Sequence, residues 1–283
     1  MVLTDLFKFL DDLLNFQFNS FVSSYVLNSV RASLVSPVGL EYVSGFIFVA
    51  DYGANRVIKF DLNFNLIKVV SVMSPTWLTS STNAVYLNSM GTTVSRYDLN
   101  LALVKSINCL NICGSLMCCS LQGLFYRQDT NQLNIADLAA NGIHVYAFDL
   151  SKRISFINLT PYGFNSPRSL SFINGKLIVG GIADNRLLSI DTNTTLSCTT
   201  NSVCPKASLI ASIFVYASKY ILVNCYANKR VNILNLDLTQ TGKYLNSSAG
   251  NPIGITSDGT RLLVSTYGPA RIDLFSSRST TGT

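Results

Sequence analysis

The sequence predicts an all-β protein, a six-bladed β-propeller of four-stranded blades, and three observations carry that expectation. Charged residues make up only 13% of the 283 residues while 48% are hydrophobic, and a single glutamate, Glu41, stands among fifteen acids. Helix-rich chains place Glu, Lys and Arg on exposed faces, so polar surface here must come from the Asn, Ser and Thr of strands and turns. An apolar pair at a nine-residue spacing recurs six times, as Leu40/Val49, Leu78/Leu87, Leu116/Phe125, Leu170/Val179, Phe214/Val223 and Ile255/Val264. Each unit of about forty residues also divides into four short runs of strand character, which is the signature of a propeller blade.

In chain order, the first element is an amphipathic helix. Leu3, Leu6, Phe7, Leu10, Leu13 and Leu14 recur at helical spacing, with Thr4 as N-cap candidate and Asp5, Asp11 and Asp12 on the polar face. It reads as a helix docked on the propeller, or as a partner-binding helix. An acidic polar face argues against attachment to a membrane surface. No basic leader opens the chain, so no signal peptide is expected and the protein reads as intracellular and reduced.

The first repeat gives strands at 38–43, 46–51, 56–62 and 66–72, separated by Ser-Gly, Gly-Ala-Asn and Asn-Phe-Asn turns. Pro37, Pro75, Pro167 and Pro252 stand three residues before their anchors. The third strand of most units closes on Asp, at Asp61, Asp98, Asp149, Asp191 and Asp237. The third unit is the longest, with an insertion placed near 127–142. After Phe275 only a polar tail remains. Residues 29–35 are therefore expected to supply the sixth blade's outer strand and close the ring, which removes two open sheet edges. The resulting organisation is a lead-in at 1–28, a propeller at 29–277 and a tail at 278–283.

Residues 207–227 form the most apolar stretch, but Lys219 and Asn224 interrupt it and it falls in register with the repeat, so core strands are expected and no membrane span. Cys198 and Cys204 could close a small disulfide, while Cys109, Cys113, Cys118 and Cys119 could be apolar fillers; their spacing is not that of a zinc knuckle. Sequons at Asn158, Asn193 and Asn246 are no more frequent than chance allows.

Pro37-Val-Gly-Leu40, Phe48-Val-Ala-Asp51, Asn55-Arg56-Val-Ile-Lys-Phe-Asp61, Asn185-Arg186-Leu-Leu-Ser-Ile-Asp191 and Asn251-Pro-Ile-Gly-Ile255 resemble the NHL repeat over residues 36–276. The resemblance implies a six-bladed propeller. It does not imply one function, since members include RNA-binding domains, partner-binding scaffolds, and more distant lyases and lactonase-like enzymes.

Candidate chemistry follows from repeat positions. Arg56, Arg186, Arg230 and Arg271 share one position ahead of the third strand, and Tyr52, Tyr226 and Tyr267 share another before the turn. Tyr and Arg dominate protein-binding hot spots, so a Tyr/Arg/Asn-rich rim facing a protein or peptide is the first expectation. Single-stranded RNA on a positive face is a further possibility, given a net charge of +6. An enzyme of the lactonase-like or lyase-like group would instead set a metal at the axis, with Glu41, Asp51, Asn88 and Asn224 as oxygen donors. One histidine, His144, excludes mechanisms needing two, and it reads as a neutral, hydrogen-bonded or exposed side chain. Trp77 stands where a glycine would precede the anchor and reads as a core or channel plug. No cofactor is expected.

Overall fold

The chain forms six four-stranded antiparallel sheets, each a blade set radially around a common axis. The computed structural model describes residues 25–30, 33–114, 119–183, 185–191, 198–204, 209–247 and 250–277. Blade 1 consists of Pro37–Val43, Phe46–Asp51, Arg56–Phe60 and Leu66–Ser71. Blades 2 to 5 repeat this order over residues 75–108, 121–158, 167–202 and 210–246. In blade 6, Asn251–Ser257, Arg261–Tyr267 and Arg271–Ser277 are joined by an outer strand, Tyr25–Val30, paired Leu27 to Phe275. That strand lies earlier in the sequence than the 29–35 expected for it. The predicted N-terminal helix at residues 3–14 and the polar tail lie outside the described residues.

The blades bury both of their faces. In blade 1, Phe48, Ala50 and Val57 pack against Leu78, Val85 and Leu87 of blade 2. The alternate residues Ile47, Val49 and Ile58 pack against Leu263 and Ile272 of blade 6. Period-two alternation therefore sends successive side chains into two different cores, and both must be apolar. The outer strands Leu66–Ser71 and Arg153–Asn158 are largely exposed and mix polar with apolar residues, and the turns carry polar ones. Two-residue hairpins at Ser44-Gly45 and Asn174-Gly175 place both residues at positive φ, the geometry that Gly and Asn tolerate best. The Asp at strand ends are held in turns as expected: Asp61 accepts amides of Asn63 and Asn65, Asp98 those of Asn100 and Ala102, and Asp237 that of Thr239.

Two units differ from the sequence reading. In blade 3 the paired anchors are Leu124 and Ile135, not Leu116 and Phe125, because residues 128–131 make a longer hairpin loop. The insertion precedes this blade, with a short helix, α1 (Cys109–Cys113), and the segment 127–142 is the hairpin loop 128–131, the strand Gln132–Asp137 and the turn 138–141. In blade 5 a three-residue hairpin moves the pairing by one, so Ile213 faces Val223. The stretch 207–227 contributes strands Ile210–Tyr216 and Tyr220–Cys225. No helix among the described residues is long and apolar enough to cross a membrane.

The disulfides also differ from expectation. Cys204 pairs with Cys225 and not with Cys198, which ties the end of blade 4 to blade 5, and Cys109 pairs with Cys119 across the insertion.

One irregularity recurs in all six blades. The pairing of every inner strand with its neighbour slips near its start, between Pro37 and Gly39, Pro75 and Leu78, Leu121 and Leu124, Pro167 and Ser169, Ile210 and Ile213, and Pro252 and Ile255. A bulge bends its strand and re-aims the side chains it carries. It also brings the backbones of adjacent inner strands together. A Cβ on Gly39 would overlap the Thr76 carbonyl, and one on Gly254 would overlap the Val38 carbonyl. Because the obstacle is backbone, Gly39→Ala is expected to destabilise the fold by about 1–3 kcal/mol, measured from the shift of the chemical denaturation midpoint at unchanged slope.

Candidate functional site

The bulges create a column of side chains, two residues before each anchor, that points to one end of the axis. The column reads Val38, Thr76, Gln122, Arg168, Ala211 and Ile253, and five of these six line a single cavity of about 400 Å³ at the axial mouth. Arg168 is the one charged member. The same cavity gathers Tyr52, Tyr226 and Tyr267, from the ends of the second strands of blades 1, 5 and 6. Tyr52 and Tyr267 are 45% and 49% exposed, large apolar surfaces at the entrance of a concave site. The three tyrosines of the sequence reading are therefore brought together.

Arg168 was not singled out by sequence reasoning. Its Nε is buried without a hydrogen-bond partner, and no carboxylate pairs with the guanidinium among the described residues. Its guanidinium lies 5.4 Å from the centre of the Trp77 ring. Burial pushes it below its ordinary pKa, partly offset by Tyr226, but an arginine stays charged at any physiological pH.

The four repeated arginines do not line the mouth. Arg56 donates from Nε to Asp51 at 3.0 Å and from Nη2 to the Ser33 carbonyl at 2.7 Å. Arg186 donates to the Gly163 carbonyl and lies near Phe164. Arg230 stacks 4.1 Å from the Tyr244 ring centre, and the buried Arg271 pairs with Asp273 at 2.7 Å.

Trp77 lines the mouth and also a second, inner chamber of about 170 Å³, walled by Glu41, Ser80, Tyr126, Ser171 and Phe214 among others. It thus stands between the two spaces, the plug that its position suggested. Glu41, following its anchor, turns into this chamber. Its side chain is largely enclosed, and burial raises its pKa to about 7 despite the hydrogen bond donated by Ser80 Oγ at 2.7 Å. Glu41 and Tyr126 are the only titratable side chains lining the chamber.

The other proposed oxygen donors are engaged elsewhere. Asp51 accepts the amides of Val35 and Ser36 and the Arg56 guanidinium. Asn88 Nδ2 donates to the carbonyls of Leu121 and Gln122, and Asn224 Nδ2 to that of Ile253, each in the next blade. Ser265 Oγ does the same for Val38 across the blade 6 to blade 1 joint. These donors satisfy carbonyls at the bulges, which explains why polar side chains occupy a fully buried position. Asn88, Asn224 and Ser265 share that position, whereas Asp51 lies one residue further along, in line with Asp137. None of Asp51, Asn88 and Asn224 lines the chamber with Glu41. Among the described residues no three His, Cys, Asp or Glu side chains gather as a metal-binding group.

His144 is buried against Phe156, with Nε2 at 3.1 Å from Asp137 Oδ2. Burial pushes the Asp137 carboxyl up. The hydrogen bonds from His144 and the amides of Ser120 and Ala140 outweigh this and hold it below its ordinary value. The pair ties blade 3 to the segment entering it, as Asp51 does in blade 1.

No family model matches the sequence, and no curated protein matches it. Solved structures do. Virginiamycin B lyase from Staphylococcus aureus superposes with a TM-score of 0.67 at 14% identity, covering 89% of this chain and 99% of that one. A streptogramin B lyase gives 0.63 at 15% identity, covering 90% and 98%. The Cps50 (Swd1) β-propeller domain of Myceliophteria thermophila gives 0.66 at 10% identity, covering 89% and 99%. At such identities the likeness extends to the six-bladed propeller fold alone, and the NHL repeat stays a resemblance.

Proposed function

We propose that the protein is a non-catalytic binding module whose axial mouth and surrounding Tyr/Arg/Asn-rich rim receive a protein or peptide partner. The observation that carries this reading is the convergence of Tyr52, Tyr226 and Tyr267, from three separate blades, on one concave and partly apolar cavity. Rigid aromatic side chains around a pocket offer large contact area at small entropy cost, as binding hot spots do. The four repeated arginines support the rim by fixing loops. The strand Tyr25–Val30, paired along blade 6, fits a ring joined at its two ends and a propeller that begins before residue 29.

The test is partner capture in parallel with folding. The double variant Tyr52→Ala/Tyr267→Ala is expected to lose about tenfold or more in affinity for a partner captured by the wild type. Its denaturation curve should stay close to that of the parent, because both side chains are half exposed. Unchanged affinity would remove the mouth from consideration.

A catalytic reading, of lyase-like or lactonase-like type, draws support from one observation, the chamber carboxyl of Glu41 with a pKa near neutrality. It lacks converging donors, since Asp51, Asn88 and Asn224 are held by backbone groups outside the chamber. RNA recognition is less supported still, because the repeated arginines are engaged in local contacts.

A further inference from the structure

We propose that the axial mouth is a carboxylate site, in which Arg168 takes the carboxylate of a peptide segment while Tyr52, Tyr226 and Tyr267 pack against its chain. The inference rests on the mouth being the partner site, and adds the chemistry that the partner must present. A guanidinium is costly to bury without an anion. Arg168 has its Nε buried and unpartnered, and no carboxylate among the described residues answers its charge. Among the described residues lining the cavity Arg168 is the one charged side chain, so the charge they present there is single and positive.

The shape of the site selects the ligand. Phosphate-rich polymers bind through many cations spread along a surface, each contributing to the salt dependence. Here there is one cation at the base of a concave mouth walled by Trp77, Ile253, Leu209 and the tyrosines. That arrangement suits one carboxylate carried on a chain with apolar or aromatic neighbours. The planar fork of arginine suits a carboxylate in a two-pronged hydrogen bond. Gln122, adjacent in the bulge column, lies on the same wall, with one hydrogen of its Nε2 donated to Ser120 Oγ at 3.3 Å and a second carried by the same amide.

Two sources share this chemistry, a chain-terminal carboxylate and an acidic side chain, and calorimetry with simple probes separates them. The probes are acetyl-Tyr-Gly with a free C-terminus, acetyl-Tyr-Gly-amide, acetyl-Tyr-Glu-amide and a short oligouridylate, each titrated into the full chain. Binding of the free acid, of the Glu peptide, or of both is expected, with the neutral amide weaker by about tenfold. Arg168→Gln should abolish the difference between acid and amide. Arg168→Lys, which keeps the charge but not the fork, should retain part of it. Neither variant should lower stability by more than the small Trp77 ring contact accounts for, because no carboxylate among the described residues pairs with the guanidinium; this separates a binding role from a structural one. Equal binding of acid and amide to the wild type would overturn the proposal. So would binding of oligouridylate alone, or a marked loss of stability in both Arg168 variants. A captured partner that loses affinity for Tyr52→Ala/Tyr267→Ala but binds Arg168→Gln fully would leave the mouth as a partner site and remove the carboxylate from it.

Discussion

Asp51→Ala is expected to lower the free energy of unfolding by about 3 kcal/mol, the lower part of the range for breaking a buried ion pair. Asp51 is fully buried and accepts three hydrogen bonds: Oδ1 takes the amides of Val35 and Ser36 at 3.0 and 2.8 Å, and Oδ2 takes Nε of Arg56 at 3.0 Å, with Arg56 Nη2 at ion-pair distance of 2.9 Å. Removing the carboxylate strands two amides and half of a guanidinium. The Arg56 side chain is 27% exposed, so water recovers part of the charge term, and the estimate stays at the low end. The loop joining the blade 6 outer strand to blade 1 would lose its anchor. Denaturation followed by circular dichroism should give the lower midpoint, and Arg56→Gln should cost less than Asp51→Ala. Equal costs would mean that the ion pair, and not the amide clamp, is what matters.

Glu41 should make stability fall with pH. Its folded pKa of about 7 stands above the ordinary glutamate value of 4.5. The folded chain therefore holds a proton that the unfolded chain has released across this window. Stability from this group is full below pH 4.5, declines as pH rises towards 7, and is level above that. A shift of this size corresponds to about 3 kcal/mol at its limit, to order of magnitude. Carboxyls with depressed values, such as Asp137 and Asp258, act with the opposite sign, and their effect lies below the ordinary carboxylate range. Glu41→Gln should flatten the decline between pH 5 and 7 and leave the acid limb in place. A wild-type decline that persists in Glu41→Gln would place its origin elsewhere.

Much of the fold was legible because a propeller repeats itself. Leu40/Val49, Leu78/Leu87, Leu170/Val179 and Ile255/Val264 are paired in the sheets as their spacing required. The failures have a common physical cause, which is loop length. Apolar spacing fixes the register only when the hairpin between two strands has a constant number of residues. The longer turns at 128–131 and 217–219 broke that condition, and Leu116/Phe125 matched by coincidence of apolar residues.

The site was legible in part. Tyr52, Tyr226 and Tyr267 could be grouped because side chains at one repeat position fall at one radius. Arg168 was hidden because bulges are a backbone feature with no fixed residue type, and the column they create is visible only once the slip in pairing is located. The disulfide of Cys204 with Cys225 joins residues twenty-one apart, on different blades, and spacing alone favoured the nearer Cys198.

Trp77 is the only tryptophan of the chain, and it is the wall between the mouth and the inner chamber. Excited at the red edge, where the thirteen tyrosines do not absorb, the protein therefore emits from one indole, placed where both spaces act on it. A ligand that draws the Arg168 guanidinium away from the indole changes the field on one side of the ring. Ionisation of Glu41 changes it from the other. Occupancy of the mouth and the charge state of the chamber can thus both be followed by the emission of the unlabelled protein, at concentrations far below those that calorimetry requires.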